Sequence, residues 1–175
     1  MLASVLIALF LAGLIFGALH DVASMTIPNW LSIAFAVLFP VGTLILGVPL
    51  VTIGWHILAG FIALLICFGL FSIGVFGGGD AKLIPAVMVW VGPAGAMAFV
   101  YGLALTGGLL AILILMSRRF VPSHAVPGFL QRSVVEGPGI PYAVAIAFGG
   151  VWAIPASPVL FQIFSASALN SLTML

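Results

Sequence analysis

Residues 77–83 read GGGDAKL, and they place three glycines, a carboxylate and a lysine between two long apolar runs. The chain has 175 residues but only four Lys or Arg and three Asp or Glu. An ionised side chain at a hydrocarbon boundary costs roughly 2.5–3.5 kcal/mol on insertion scales, so it is usually paired or functional. The segment is therefore both a boundary between apolar elements and a candidate site.

The sequence outside this segment is that of a membrane protein. Hydrophobic residues make up 65% of the chain, charged residues 4%, and the mean hydropathy is +1.46. Soluble domains have about 25% charged residues. No charged residue occurs between Trp30 and Gly79, or between Leu83 and Ser117. We therefore expect an all-α membrane protein, a polytopic bundle of about six transmembrane helices.

Composition also excludes several classes of protein. A net charge of +1 provides no basic stripe that could neutralise phosphates, so nucleic acid is not expected as a partner. Cys67 is the only cysteine, which excludes a disulfide framework and a cysteine-based zinc site. The first apolar segment has no basic residue before it and no small-residue cleavage site, so we expect a retained span rather than a signal peptide.

Proline and glycine clusters divide the apolar sequence into spans. The run from Leu83 to Met116 is too long for one span, and residues 92–95, Gly-Pro-Ala-Gly, divide it into a short and a full helix. No internal repeat is evident, so we expect one domain over residues 1–175, with the tail 161–175 unplaced. The predicted spans are 2–20, 29–47, 52–75, 80–91, 95–116 and 140–160.

Alternate threading of six spans predicts a topology. If both termini lie outside, every charged residue lies in a loop on the inner side, as the positive-inside bias requires of Lys and Arg. Asp21 and Asp80 then lie on the same side at similar depth. The inner-side charged residues are Asp21, Asp80, Lys82, Arg118, Arg119, Arg132 and Glu136.

Asp21 and Asp80 are the candidates for chemistry. Asp80 begins the short helix 80–91, which would rise only ~18 Å in a hydrocarbon core of ~30 Å, so it is drawn below the lipid headgroups. Two close carboxylates cannot both ionise easily, so one holds a proton while the other accepts one. Such a pair can activate water against a peptide carbonyl without a metal ion.

Simpler explanations exist for each residue. A single Asp at a span end is usually a solvated interfacial charge, and glycines often serve helix packing. Lys82 is either a topology anchor or a group that positions Asp80 or substrate. Arg118 and Arg119 are typical topology determinants, and His20 and His56 have no clear catalytic companion. Two carboxylates on one side, one after three glycines, favour the site.

Three segments resemble one known family. Residues 77–83 resemble the GxGD-x-K motif of the type IV prepilin peptidases, which are aspartyl proteases of the membrane. Asp21, followed after five residues by Ile27-Pro28-Asn29, is similar to that family's first catalytic motif. Residues 139–146, GIPYAVAI, are similar to its last motif, at the head of the final span. The three matches occur in the family's order and extend over most of the chain.

The resemblance implies an aspartic endopeptidase of the bacterial inner membrane with its active site facing the cytoplasm. It would cleave the short, positively charged leader from prepilin or pseudopilin precursors, with membrane lipid as its other partner and no cofactor; a homo-oligomer is compatible with the sequence. The catalytic role falls to Asp21 and Asp80. Loop- or substrate-positioning roles fall to Gly77, Gly79, Lys82, Pro28, Asn29, Pro141 and Tyr142.

The short loop after the first span indicates which branch of the family the chain resembles. Larger members of the family carry an added cytoplasmic segment near the N-terminus, often with paired cysteines, which is linked to methylation of the new pilin N-terminus. This chain resembles the short branch that processes Flp or tight-adherence pilins. Its first loop, residues 22–26, has none of the basic residues common in the family.

Two other classes of function remain as alternatives. Paired carboxylates could relay protons or bind a cation in a coupled membrane transporter. Transporter sites usually lie near the bilayer midplane on broken helices of related halves, whereas here both Asp residues map to one side and no repeat is visible. A purely structural membrane subunit would leave the glycine-flanked carboxylate without a role.

Overall fold

The structure, a computed structural model, describes residues 1–120 and 139–172, the side chains of residues 169–172 excepted. Its regular elements are all helical, and the described residues contain no strand, so the predicted fold class is confirmed. Arg132 and Glu136 lie outside the described residues. The helices are α1 (Leu2–Ser24), α2 (Asn29–Ile45), α3 (Leu50–Ser72), α4 (Asp80–Phe120), α5 (Ala143–Trp152) and α6 (Pro158–Leu172), with a 3₁₀ turn at Ile154–Ala156.

Three of the described helices are long and apolar enough to cross a membrane, namely α1, α3 and α4. The helices α2 and α5 and residues 158–168 of α6 are apolar but shorter. The count of six spans stays a prediction. Large apolar side chains are exposed along the long helices, as lipid-facing surfaces require.

The first segment of α4, residues 80–91, lies at the centre of the bundle. Almost every side chain from Ala81 to Val91 is buried, and a helix that is apolar on all sides is expected to be enclosed by protein. Trp90 is fully buried and donates its indole N–H to the Phe35 carbonyl of α2 at 2.8 Å. Its ring stacks on Phe10 of α1, with centroids 4.7 Å apart. These contacts fix the short segment between α1 and α2.

A break at Gly92 divides α4, as the Gly-Pro-Ala-Gly cluster predicts. Gly92 adopts φ 69° and ψ 179°, which glycine accepts more readily than other residues. Pro93 has no N–H, so it cannot donate to the Val89 carbonyl four residues earlier. His56 of α3 supplies the missing donor, with its Nδ1 2.9 Å from that carbonyl. The buried His56, which had no clear role in the sequence, therefore caps the broken helix.

Two predicted boundaries are wrong. The first helix does not end at residue 20 but continues to Ser24, and Met25 closes it in the left-handed region with φ 55°. The predicted span 140–160 is not one helix, because Pro155 cannot continue the hydrogen bonding and Ser157, before Pro158, is extended. The unplaced tail instead continues as α6, which begins at Pro158 and packs against α1.

Candidate functional site: a cavity with two carboxylates

Three segments that are distant in the sequence line one cavity of about 730 Å³. They are the end of α1 with the following loop, the glycine segment before α4, and the loop before α5. Asp21 and Asp80 both line this cavity, so the structure brings together the two carboxylates singled out in the sequence. The lining residues also include Asn29, Gly77, Gly79 and Tyr142.

Asp21 lies in the last turn of α1 and is only 5% exposed. Its Oδ2 accepts the backbone N–H of Ala143 at 3.0 Å. Ala143 is the first residue of α5, so the carboxylate lies against a helix N-terminus, where free N–H groups favour an anion. This contact holds the head of α5 against α1.

Asp80 is the first residue of α4 and is half-buried. The backbone of Gly77 hydrogen-bonds its carboxylate, and Asp21 is close enough to act on it electrostatically. A Cβ added at Gly77 would lie 3.1 Å from Asp80 Oδ2. The glycine therefore keeps the approach to this carboxylate oxygen open.

Gly79 allows the glycine segment to approach the loop after α1. A Cβ at this position would lie 3.1 Å from the Cβ of Ile27, which is tighter than ordinary contact. A Cβ at the neighbouring Gly78 would meet only the Phe71 ring edge, at 3.4 Å. The two glycines thus differ: Gly79 is required for the contact between the first two motifs, whereas Gly78 has more space.

Lys82 does not line the cavity that holds the two carboxylates. Its Nζ donates to Asn29 Oδ1 at 3.0 Å, and both side chains lie at the surface. Asn29 is the first residue of α2, and the preceding Pro28 is extended, with ψ 134°, which directs the chain into that helix. The structure therefore brings Lys82, Pro28 and Asn29 to the edge of the cavity rather than against Asp80.

The third motif contributes Gly139, Ile140 and Tyr142 to the lining of the cavity. Pro141 is buried, while Tyr142 lines the cavity, with its ring centroid 6.1 Å from that of Phe76. Burial, with a further contribution from the charge of Asp80, raises the pKa of the Tyr142 phenol, so it stays protonated at neutral pH. A Cβ at Gly107 would lie 2.6 Å from the phenol oxygen, so this glycine makes room for the side chain.

Sequence reasoning missed the role of Arg118. Its guanidinium donates to the Gly139 carbonyl at 2.8 Å and so holds the start of the third motif. His20 was also undervalued, since its Nδ1 lies 2.8 Å from the Thr26 carbonyl and stabilises the loop after α1. In the sequence, His20 was visible only as a polar residue beside Asp21, and Arg118 only as a positive charge at the end of a span. Their partners could not be read from the sequence.

The arrangement suits acid–base chemistry. Two carboxylates share a cavity, one deeply buried and one half-buried, and a neutral phenol stands nearby. No group of three or more His, Cys, Asp or Glu that could hold a metal ion occurs in residues 1–120 and 139–172.

Comparison with known families gave one match. The model of the type IV leader peptidase family matches residues 8–112, which is more than half of the chain. The matched range includes both carboxylates and the glycine segment. No curated protein and no solved structure matches the chain.

Proposed function

Since the chain belongs to the type IV leader peptidase family, we propose that it is a membrane-embedded aspartic endopeptidase acting on prepilins. Its substrates are type IV or Flp-type precursors, and it removes their short leader at the cytoplasmic face of the bacterial inner membrane. One observation carries the proposal: Asp21 and Asp80, from two separate motifs, line the same cavity. Aspartic peptidases use a carboxylate pair in this way.

Asp21 and Asp80 are the catalytic residues in this proposal. One carboxylate, ionised, takes a proton from water as the water oxygen attacks the scissile carbonyl carbon. The other, protonated, gives its proton to the carbonyl oxygen. When the tetrahedral intermediate breaks down, the C–N bond breaks and the amine leaves with the proton taken from water. One hydroxyl of the intermediate returns its proton to the carboxylate that had given one, and the acyl part leaves as a carboxylic acid. The pair is then ready for another turnover.

The other motif residues serve position rather than chemistry. Gly77 leaves space for the substrate at Asp80, and Gly79 lets the glycine segment pack against Ile27. Asn29, directed by Pro28 and held by Lys82, forms the edge of the cavity. Tyr142 lines the cavity, and the buried Pro141 directly precedes it. We assign the whole of residues 1–175 to this one peptidase unit.

The short connection between α1 and α2 supports the Flp or tight-adherence branch. Only residues 25–28 separate the two helices, so no cytoplasmic segment with paired cysteines is inserted there. The branch is tested by giving the same cells an Flp-type precursor and a longer type IV precursor, and by comparing the extent of leader removal.

The test of the function is co-expression with an Flp-type prepilin, with leader removal followed on a gel. Asp21→Asn and Asp80→Asn should each lower cleavage by at least roughly 10²-fold, the lower range for loss of a general acid or base. Both variants should still insert, because Lys and Arg set the topology. Glu136→Gln, which changes the remaining carboxylate of the chain, should cleave normally.

Two results would contradict the proposal. One is full cleavage by Asp80→Asn. The other is activity that a chelator removes and added zinc restores, because the carboxylate mechanism uses no metal ion.

A further inference from the structure

A second cavity, of about 580 Å³, lies beside the carboxylate cavity and is open at the surface of the bundle. We call it the α2–α3 groove. Its walls are α2 and α3, and its floor is the central segment of α4. The helices α2 and α3 each pack on α4 but make few contacts with one another, which leaves the groove between them.

The groove has the register of a helix-binding surface. Each of the three helices contributes four residues at positions i, i+3, i+4 and i+7, so each presents one face over about 10 Å of length. On α4 these are Lys82, Pro85, Ala86 and Val89. Rows of side chains with this spacing leave grooves between them, and the ridges of another helix pack into such grooves.

Small residues allow a close approach along the groove. Ala36 and Ala86 line it, and Gly60 forms part of the wall on α3. A Cβ on Gly60 would collide with the Val89 side chain and lie 3.1 Å from the Pro85 carbonyl, so α3 and α4 are in direct backbone contact there. Small residues serve this purpose at membrane helix interfaces.

Ser32 places at the groove a buried hydroxyl that has no partner within the described residues. Its side chain is 8% exposed and lines the groove, yet its Oγ has no hydrogen-bond partner within the described residues. Buried hydroxyls in proteins are generally hydrogen-bonded. A lipid acyl chain has no atom that could pair with this hydroxyl, whereas a polypeptide supplies carbonyls and polar side chains.

Asn29 connects the groove to the carboxylate cavity, because it lines both. A chain bound at Asp21 and Asp80 can therefore continue into the groove at this residue. A positively charged leader cannot lie in an apolar groove. The segment of the precursor that follows the leader is the remaining candidate. Where that segment lies in lipid, its backbone must satisfy its own hydrogen bonds, which requires a helix.

We propose that the α2–α3 groove binds the apolar helix of the precursor that follows the scissile bond, with Ser32 hydrogen-bonded to it. This inference rests on the proposed function and adds the substrate feature that the enzyme recognises. Recognition would then be divided: the carboxylate cavity holds the scissile bond, and the groove holds the membrane-embedded helix.

The test compares Ala36→Trp, which fills the groove, with Val37→Trp on the same helix. Val37 is exposed and lines neither cavity. With the full-length Flp-type precursor, Ala36→Trp should raise KM about tenfold or more, equivalent to one helix contact of about 1.4 kcal/mol, with little change in kcat. Val37→Trp should resemble wild type. Equal KM values for the two variants would overturn the proposal.

A short water-soluble peptide that carries only the leader and the cleavage site supplies a second comparison. Wild type should cleave it with a kcat/KM at least about tenfold below that of the full-length precursor. Equal values of kcat/KM would show that the helix contributes nothing. If wild type leaves the full-length precursor intact, the proposed function itself fails, which is a different result from failure of the groove alone.

Ser32→Ala separates a binding role from a structural one. The substitution removes an unpartnered buried hydroxyl, so the free protein should not become less stable to heat in detergent. KM for the full-length precursor should still rise, by about threefold or more. An unchanged KM, or a fall in thermal stability, would contradict the role of this hydroxyl.

Photo-crosslinking identifies the occupant directly. A crosslinking side chain is placed at Ile33 in the groove or at Val37, in the Asp80→Asn background that retains substrate. Ile33 should crosslink to the precursor segment after the scissile bond, and Val37 should not. Crosslinks from Ile33 only to lipid or to a second copy of this chain would overturn the proposal.

Discussion

Gly79 shows how a single residue controls the distance between two motifs. The hypothetical Cβ at this position lies 3.1 Å from Ile27 Cβ, and both atoms are attached directly to backbone. Relief therefore requires movement of the main chain that leads into Asp80. The glycine is thus a spacing residue, and its contribution is to the position of a carboxylate rather than to its chemistry.

We expect Gly79→Ala to lower the rate of leader cleavage about tenfold, equivalent to about 1.4 kcal/mol of transition-state stabilisation. A small displacement of a catalytic group has effects of this size or larger. Gly78→Ala is the matched variant and should cost much less, because its added methyl would meet only the edge of Phe71. Initial rates with the same precursor measure both effects. A larger loss for Gly78→Ala would contradict this account of the glycine segment.

At the scale of elements, the site depends on how the head of α5 is held. Asp21 accepts the Ala143 N–H, and Arg118 at the end of α4 donates to the Gly139 carbonyl. These two bonds connect α1, α4 and α5 around the cavity. Arg118 therefore acts at the site as well as serving as a positive charge beside the membrane.

Arg118→Gln should lower cleavage several-fold, because the loop before α5 loses a hydrogen bond from a charged donor and holds Tyr142 less firmly at the cavity. Arg119→Gln removes an equal charge from the adjacent position, where the exposed guanidinium lies 5.7 Å from the Phe120 ring centroid. It should retain cleavage. The two rates are compared at equal amounts of inserted protein. Equal losses would mean that only the positive charge matters.

The break in α4 gives a prediction about stability. His56→Phe keeps an aromatic ring to stack on Phe39 but removes the donor to the Val89 carbonyl. An unpaired buried carbonyl costs about 1–3 kcal/mol, so the variant should unfold at a lower temperature in detergent. The Cys67→Ala variant serves as the reference, because it also replaces a buried side chain of α3 but at a different position. An unchanged unfolding temperature in His56→Phe would show that the carbonyl finds another donor.

Local signals in the sequence predicted most element boundaries and the break at Gly92. Proline and glycine affect the backbone conformation of the residues next to them. The turn before α3 and the division of α4 could therefore be predicted from the sequence. The end of α1 could not, because it depends on hydrogen bonds of Ser24 and His20 with Thr26 in the following loop. The continuation as α6 was also missed, since a proline can end one helix and begin the next.

Side-chain partners were the least predictable part of the site. The motifs identified Asp21 and Asp80 as candidates, and the structure places both at one cavity. However, Ala143 and Arg118 contribute through a backbone N–H and a guanidinium whose partners are far away in sequence. Lys82 was expected as a topology anchor or as a group that positions Asp80 or substrate, and its hydrogen bond to Asn29 was not foreseen. Such pairings follow from packing rather than from spacing.

For the whole molecule, the predicted topology can be tested by cysteine labelling. In the Cys67→Ala background, Leu46→Cys should react with a membrane-impermeant thiol reagent in intact cells, since the turn after α2 is predicted to lie outside. Ser72→Cys, at the end of α3, should react only after permeabilisation. Both residues are exposed. The reverse pattern would invert the membrane orientation and place the carboxylate cavity on the wrong side for a cytoplasmic leader.

The enclosure of residues 80–91 has a consequence for the lipid environment of this protein. Helices that face lipid adjust their tilt when the bilayer becomes thicker or thinner. The short segment that begins at Asp80 instead packs on α2, α3 and α5 and contacts α1 through side chains, and its far end is fixed by His56. The depth of the carboxylates is therefore set by protein packing, and the enzyme should work across membranes of different acyl-chain length.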